Sequence, residues 1–301
     1  MVIRTTLALI LFFILGNIAN AQNYREQFVK LFNDKDLGSQ YTLLQSWEKA
    51  APDDPELYVS FFNYYFAKSR QETLSLTTAP PKGDSLRLTK EDDKNVVAYL
   101  GSNVSFTKAD FDQGISYIDM GIAKFPDRLD MRFGKTYALG QIRDDAKFTD
   151  EIVKTVDRSD VNKNGWMWKE GKPLEKPRDF MLSSIQDYVV QLFDSGDEQV
   201  KFIKPIAETV LKYHPDHVES LSNLSIFYMM KEDFDGALVP LLKAEKLAPS
   251  DFIVIGNIAY AYYKKHDKQN ATKYYEKLSQ LGDEGSKKNA AAKLSEIKNW
   301  K

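Results

Sequence analysis

Residues 218–251, VESLSNLSIFYMMKEDFDGALVPLLKAEKLAPSD, align without a gap on residues 252–285, FIVIGNIAYAYYKKHDKQNATKYYEKLSQLGDEG. Leu221 falls on Ile255, Leu224 on Ile258, Ser225 on Ala259, Tyr228 on Tyr262, Ala237 on Ala271 and Leu241 on Tyr275. Pro215 and Pro249 mark the two unit ends, 34 residues apart. Within each unit the apolar residues recur at threes and fours, the spacing of one helix face. A helix pair of this length cannot bury its apolar stripe alone, so such units stack on one another. This constraint governs what the chain can fold into.

The pattern resembles the tetratricopeptide repeat, W-x2-L-G-x2-Y, then A-x3-F, then P, at a period of about 34. Ser225, Ala237, Ala259 and Ala271 take the small positions where helix backbones approach, and Leu221, Leu224, Tyr228 and Leu241 fill between them. Pro249 ends the second helix, since the residue before a proline is driven out of the helical region. The resemblance implies an all-α fold, an α-solenoid of stacked antiparallel helix pairs. It also implies that the first helix of each unit lines a concave groove. The facing positions are Ser222 with Ile226 and Gly256 with Tyr260. These are not the lysine and asparagine residues with which some family members clamp a peptide carboxylate. With Met229, Met230, Tyr260 and Tyr263 nearby, the implied groove is apolar and aromatic. It reads either as a site for another protein or peptide or as packing within the superhelix.

Upstream the resemblance fades by degrees. "TKADFDQGISYIDMGIAKFPDR" opens on a capping box (Thr107, Asp110) and ends at Pro126, like a second helix. "YTLLQSWEKAAPDDPELYVSFFNYYFAK" resembles the end of one unit and the start of the next, and residues 129–213 continue the helical pattern. Residues 22–159 are thus expected to be a degenerate repeat region, residues 177–285 the better one, and residues 286–301 a capping helix with Ala291, Leu294, Ile297 and Trp300 on its apolar face. Pro205 and Pro240 fall inside expected second helices and predict a kink or a shifted boundary. Residues 71–93 break the pattern: Leu74/Leu76 and Leu86/Leu88 flank a Pro-Pro-Lys-Gly-Asp turn, which predicts a small inserted β-hairpin.

The start of the chain bears on compartment. A basic end with Arg4 precedes an apolar run from Leu7 to Leu15, and Ala19-Asn20-Ala21 follows the small-x-small pattern of signal-peptidase sites. Nine apolar residues are too few to span a bilayer, which takes roughly 20. Residues 1–21 therefore read as a signal peptide cut after Ala21, and the product as exported, with a bacterial periplasm the expected destination. The mature chain has no further run long enough for a transmembrane segment. The 301 residues contain no cysteine, which excludes disulfides, thiolate metal sites and a cysteine nucleophile. Lysine plus arginine (41) nearly balances aspartate plus glutamate (43), so no global field points to nucleic acid.

One loop stands apart. "DVNKNGWMWKEG", within the connecting segment 160–176, begins like a calcium loop: Asp160, Asn162, Asn164 and Gly165 match the first half of that pattern. Its twelfth residue, however, is Gly171 instead of glutamate, and the nearest carboxylate, Glu170, comes one place early. Calcium takes six to eight oxygens, and this loop offers two carboxylates at most. Trp166 and Trp168 either dock on the helices or anchor a partner or glycan. The segment reads first as an ordered connection, second as a recognition element and third as a metal site. His214-Pro-Asp-His217 lies on a turn between units, lacks a third ligand and reads as solvated, and His266 reads as exposed in a short turn. There is no phosphate-cradling glycine loop, no G-x-S-x-G elbow, no H-E-x-x-H and no S-x-x-K set. The chain is expected to be a non-catalytic, cofactor-free exported scaffold that binds another protein or peptide. Alternatives are an accessory protein of an envelope complex working through the tryptophan loop, and a hydrolase with an unrecognised acidic site.

Overall fold

The structure is a computed structural model that describes residues 23–80, 85–90 and 95–300. The expected signal peptide, 1–21, lies outside the described residues, as does most of the expected turn at 80–84. The described chain is helical apart from one three-stranded sheet. It divides into two compact units. One comprises the chain up to Ile142 together with Met167–Lys172; the other comprises Arg143–Trp166 with Pro173–Lys301.

Two backbone devices recur along the chain and fix where helices end and restart. The first is an X-Pro turn. The helices α2 (Leu37–Ala50), α4 (Lys108–Lys124), α8 (Val200–Tyr213) and α10 (Phe234–Leu247) each stop at a residue that precedes a proline. Those residues, Ala51, Phe125, His214 and Ala248, have ψ values of 65–75° and donate their N–H four residues back into the helix. Proline disfavours a helical residue before it, so each helix ends there. In every case the carbonyl of that residue then accepts from the residue three ahead: Asp54, Arg128, His217 and Asp251. These four residues start the next helices, α3 (Pro55–Ser69), α5 (Leu129–Gln141), α9 (Val218–Met230) and α11 (Phe252–Lys264).

The second device is a left-handed residue followed by a capping aspartate. Lys35, Arg143, Glu232 and His266 have φ of 55–57°. Each precedes an aspartate (Asp36, Asp144, Asp233, Asp267) whose carboxylate accepts from the backbone N–H three residues on. The caps satisfy one of the orphan donors that every helix start leaves. They open α2, α6 (Asp145–Val161), α10 and α12 (Lys268–Leu281), after a first helix, α1, at residues 23–33.

In the C-terminal unit α9 packs on α10 and α11 on α12, with α10 also against α11. The core holds Leu221, Leu241, Ala237, Ala244, Ile255, Ile258, Ala259, Ala271, Tyr275 and Leu278, while Leu224, Tyr228 and Tyr262 are half-buried. The small residues expected at close approaches, Ser225, Ala237, Ala259 and Ala271, are fully buried. Ahead of these come α7 (Pro177–Asp194) and α8, which packs against both α6 and α9. The capping helix, α13 (Glu284–Lys298), lies on α12. It buries Ala290 and Ile297 with Leu294 half-buried; Ala291, expected on that face, is exposed, because the apolar stripe steps by four and then three. Pro205 and Pro240 lie inside continuous helices without the expected boundary shift. Both sit shortly after the first turn, where the missing N–H removes a single helical bond.

The N-terminal unit carries the sheet: β1 (Arg70–Thr77), β2 (Ser85–Thr89) and β3 (Val96–Phe106). The inserted β element is larger than the expected hairpin. β1 and β2 do not pair with each other; both pair antiparallel with β3, in the order β1-β3-β2. The whole sheet occupies the turn between α3 and α4, which nonetheless pack closely together. On α4, Gly114 and Gly121 replace the alanines of the better repeats. A Cβ on Gly121 would stand 2.9 Å from Tyr58 Cβ and 3.1 Å from Met131 Sδ, and one on Gly114 would stand 3.3 Å from Tyr65 Cβ. Aromatic rings fill the rest: Phe61 stacks on Tyr117 at 4.0 Å and Tyr24 on Trp47 at 5.7 Å. An Ala in place of a mid-helix Gly ordinarily gains up to about 1 kcal/mol. Gly121→Ala should instead lose about 1–3 kcal/mol through overpacking, with a smaller loss for Gly114→Ala, measured by chemical denaturation.

Candidate partner-binding surfaces

The tryptophan loop is tied down residue by residue. Asp160 is the penultimate residue of α6, Asn162 caps it, and Lys163 and Asn164 turn left-handed, with φ of 52° and 58°. Trp166 is 1% exposed, and its carbonyl accepts from Leu174 N–H at 3.2 Å. An indole buried to that degree offers no surface to a partner. Met167 then makes a parallel bridge with Arg128: its N–H donates to Asp127 O at 2.9 Å and its carbonyl accepts from Leu129 N–H at 3.0 Å. Trp168 is half-buried, edge-on to Phe133. Glu170, at φ 62°, donates its backbone N–H to Glu56 Oε1 at 2.9 Å.

An ion cluster lies beneath this segment. Arg128 is 4% exposed, and its Nη2 lies 2.7 Å from both Glu56 and Asp130. Arg25 reaches Glu170 at 2.6 Å, and Lys172 reaches it at 2.7 Å. These neighbours, Lys172 first and then Arg25, hold the Glu170 carboxyl below its ordinary range. Two of the four calcium ligands read from sequence are engaged elsewhere: Asp160 pairs with Lys163 at 3.1 Å and Glu170 with two cations. Among the described residues no three acidic or histidine side chains gather as a metal site.

The first-helix face of the C-terminal unit is divided. Met229 packs against the core. Tyr263 is taken by the cap: its hydroxyl donates to Glu296, its ring lies 5.0 Å from Trp300, and Lys293 sits over it. Ile226 is half-buried, whereas Met230 and Tyr260 are 41% and 42% exposed. Beside Met230 lies a depression of about 190 Å³ lined by Val200 and Phe227 and by the charged residues Asp197, Glu198, Lys201 and Lys231.

Polar side chains staple successive first helices. Asn223 donates to Gln186 Oε1 at 2.8 Å, and Asn257 to Ser222 Oγ at 3.1 Å. Alongside them is a cleft of about 290 Å³ lined by Arg178, Leu182, Gln186, Asp187, His217 and Glu219. Sequence reasoning missed it, because it places the start of α7 against the His-Pro-Asp-His turn. His214, expected to be solvated, is 8% exposed, and its Nδ1 accepts from Arg178 Nε at 3.3 Å. Its proton therefore resides on Nε2, which is buried. His217 bonds Ser220 Oγ at 2.9 Å, and its Nε2 lies 3.3 Å from Glu219. His266 is exposed in its left-handed turn.

The geometry is that of helix-pair repeats, two of them in register over residues 218–285. The fold is tetratricopeptide-like. No family model and no curated protein matches the chain. Solved structures that match include the C-terminal part of a TPR repeat-containing protein from Cytophaga hutchinsonii (14% identity, TM-score 0.42, covering 85% of this chain and 78% of that one). A thermophilic TPR protein of Thermus thermophilus matches at 11% identity and TM-score 0.37, over 62% of this chain and 92% of its own. Pseudomonas aeruginosa PilF matches at 8% and 0.32, over 94% and 90%. Likenesses this distant add no weight beyond the repeat visible in the chain itself.

Both clustered histidines are held below the ordinary histidine pKa of 6.5, first by burial and then by the Arg178 guanidinium; Asp160 beside His214 and Glu219 beside His217 act in opposition. The unfolded chain therefore takes up protons before the folded one does. The stabilising effect of these groups is complete above pH 6.5 and is lost as pH falls through the folded values. Thermal midpoints should drop between pH 7.5 and 5.5, and the slope should flatten in His214→Gln/His217→Gln. Arg128→Ala, which leaves Glu56 and Asp130 without their buried partner, should cost about 3–5 kcal/mol and open the Lys169–Glu170 bond to trypsin.

Proposed function

We propose that this protein is an exported scaffold, most suited to a bacterial periplasm, that binds another protein or peptide through the first-helix face of α9 and α11. The observation that carries this reading is the exposed pair Met230 and Tyr260. Tyr260 occupies the position equivalent to Ile226 in the preceding unit, so both repeats present an apolar side chain at the same place. A segment with apolar residues at helical spacing would seat them beside the Val200 and Phe227 depression. Trp166 has no part in this proposal, and Tyr263 contributes through the cap only. Export rests on residues 1–21. No catalytic, cofactor or calcium role is part of the reading.

A photo-crosslinking residue at position 260 should trap a discrete envelope protein. The same group at Val239, 73% exposed on α10, should not. Tyr260→Ala should weaken binding of the identified partner about tenfold or more, as for an interface anchor. Equal labelling from both positions would sink the proposal.

A further inference from the structure

His214, at the end of α8, meets the start of α7 through a hydrogen bond whose direction is fixed. Arg178 Nε donates to Nδ1 at 3.3 Å, and an arginine has no acceptor and keeps its charge in proteins. The ring's own proton is on Nε2, which is buried and meets no acceptor among the described residues. A second proton can enter only at Nδ1, the atom the arginine occupies. Protonation therefore sets donor against donor and imidazolium against guanidinium, on a residue that is 8% exposed. A buried charge without hydrogen-bond partners is costly. Arg178 has an alternative: its side chain is half-exposed, and Nη1 lies 3.7 Å from the Asp179 carboxylate. The other groups facing His214 are His217, from the following turn, and Asp160, from the end of α6. Burial, Arg178 and His217 favour the neutral ring, and Asp160 acts against them. His217 differs, because its Nε2 faces Glu219 at 3.3 Å and gains an ion pair on protonation.

The first turn of α7 is thinly held. Its N-cap, Lys176, is left-handed at φ 48° and makes no side-chain cap. Arg178 and Asp179 are exposed, Phe180 is 38% exposed, and full burial begins only at Met181. We propose that the Arg178–His214 bond is an acid-released latch: it holds the first turn of α7 on the end of α8 at neutral pH, and frees that turn when the ring takes up a proton. His214 is held below the ordinary histidine value of 6.5, so the latch is closed above that pH and opens as pH falls through the folded value. Arg178 and Leu182 line the cleft that also holds Gln186, Asp187, His217 and Glu219, so release of the turn opens one wall of it. The rest of α7 stays packed through Ile185, Val189 and Leu192. The opening is local. The stacked pairs α9–α12 carry a single histidine, His266, which is exposed in its turn.

The test is amide hydrogen exchange read residue by residue by NMR on residues 22–301, between pH 7.5 and 5.0 and corrected for the intrinsic pH dependence of exchange. Phe180, whose N–H donates to Lys176 O at 3.0 Å, and Met181 and Leu182 after it should lose protection by about tenfold or more as the pH falls. Ile255 and Ile258, in the core of α11, should keep theirs. His214→Gln gives Arg178 an acceptor that does not titrate, and should keep the turn closed at both pH values. Arg178→Ala should leave it open at both. Histidine ¹⁵N shifts of the unaltered chain should place the His214 proton on Nε2 at pH 7.5. Protection at 180–182 that is indifferent to pH would overturn the proposal. So would a loss that survives in His214→Gln, a parallel loss in α11, or an Nδ1 proton on His214 at pH 7.5.

Discussion

Helices of 13–15 residues are marginal in water by themselves, so each depends on the neighbour that the intervening turn delivers. Two turns do most of this in the present chain. The X-Pro turn ends α2, α4, α8 and α10, and the left-handed turn with its capping aspartate starts α2, α6, α10 and α12. Both are determined by local chemistry: a proline that forbids helix before it, and a carboxylate that satisfies a helix-start donor. The left-handed positions are held by lysine, arginine, glutamate and histidine instead of glycine, at a steric cost of about 1–2 kcal/mol each. The packing that follows each return must exceed that cost.

The N-terminal unit departs from this scheme at two places, and a different force compensates at each. Around α4 the small residues become glycines, which lets the aromatic rings of α3 come close, as where Phe61 stacks on Tyr117 at 4.0 Å. At its end, Arg128 brings Glu56, Asp130, Arg25 and Glu170 into one charge cluster over residues 167–172. A buried ion pair is weak evidence of net stability, but removing one member leaves the others uncompensated. The cluster therefore specifies where the loop lies more than it adds to folding free energy.

Legibility in the sequence followed the range of the interaction. Pro249 and Pro126 announced helix ends, and the alignment of Leu221 with Ile255 and Ala237 with Ala271 announced the stacked pairs, because these depend on residues a few places apart. The third strand did not show, since VVAYLGSNVSF alternates poorly and is interrupted by Gly101. Burial of His214 did not show either, because its partner Arg178 comes from the start of another helix. Trp166 and Trp168 looked alike in sequence. The chain leaves one unit for the other between Trp166 and Met167, and no local pattern records that.

The sheet's placement inside a turn has a kinetic consequence. The pairs α9–α10 and α11–α12 close over three-residue returns, so their contacts are nearly all local. The α3–α4 pair closes only after residues 70–106 have been looped out, which raises the entropic barrier by about 2 kcal/mol on a logarithmic scaling with length. Chains with more distant contacts fold more slowly. In a polypeptide that emerges from its N-terminus, the half made first is thus the half slower to close, and its aromatic interior stays accessible until β3 arrives.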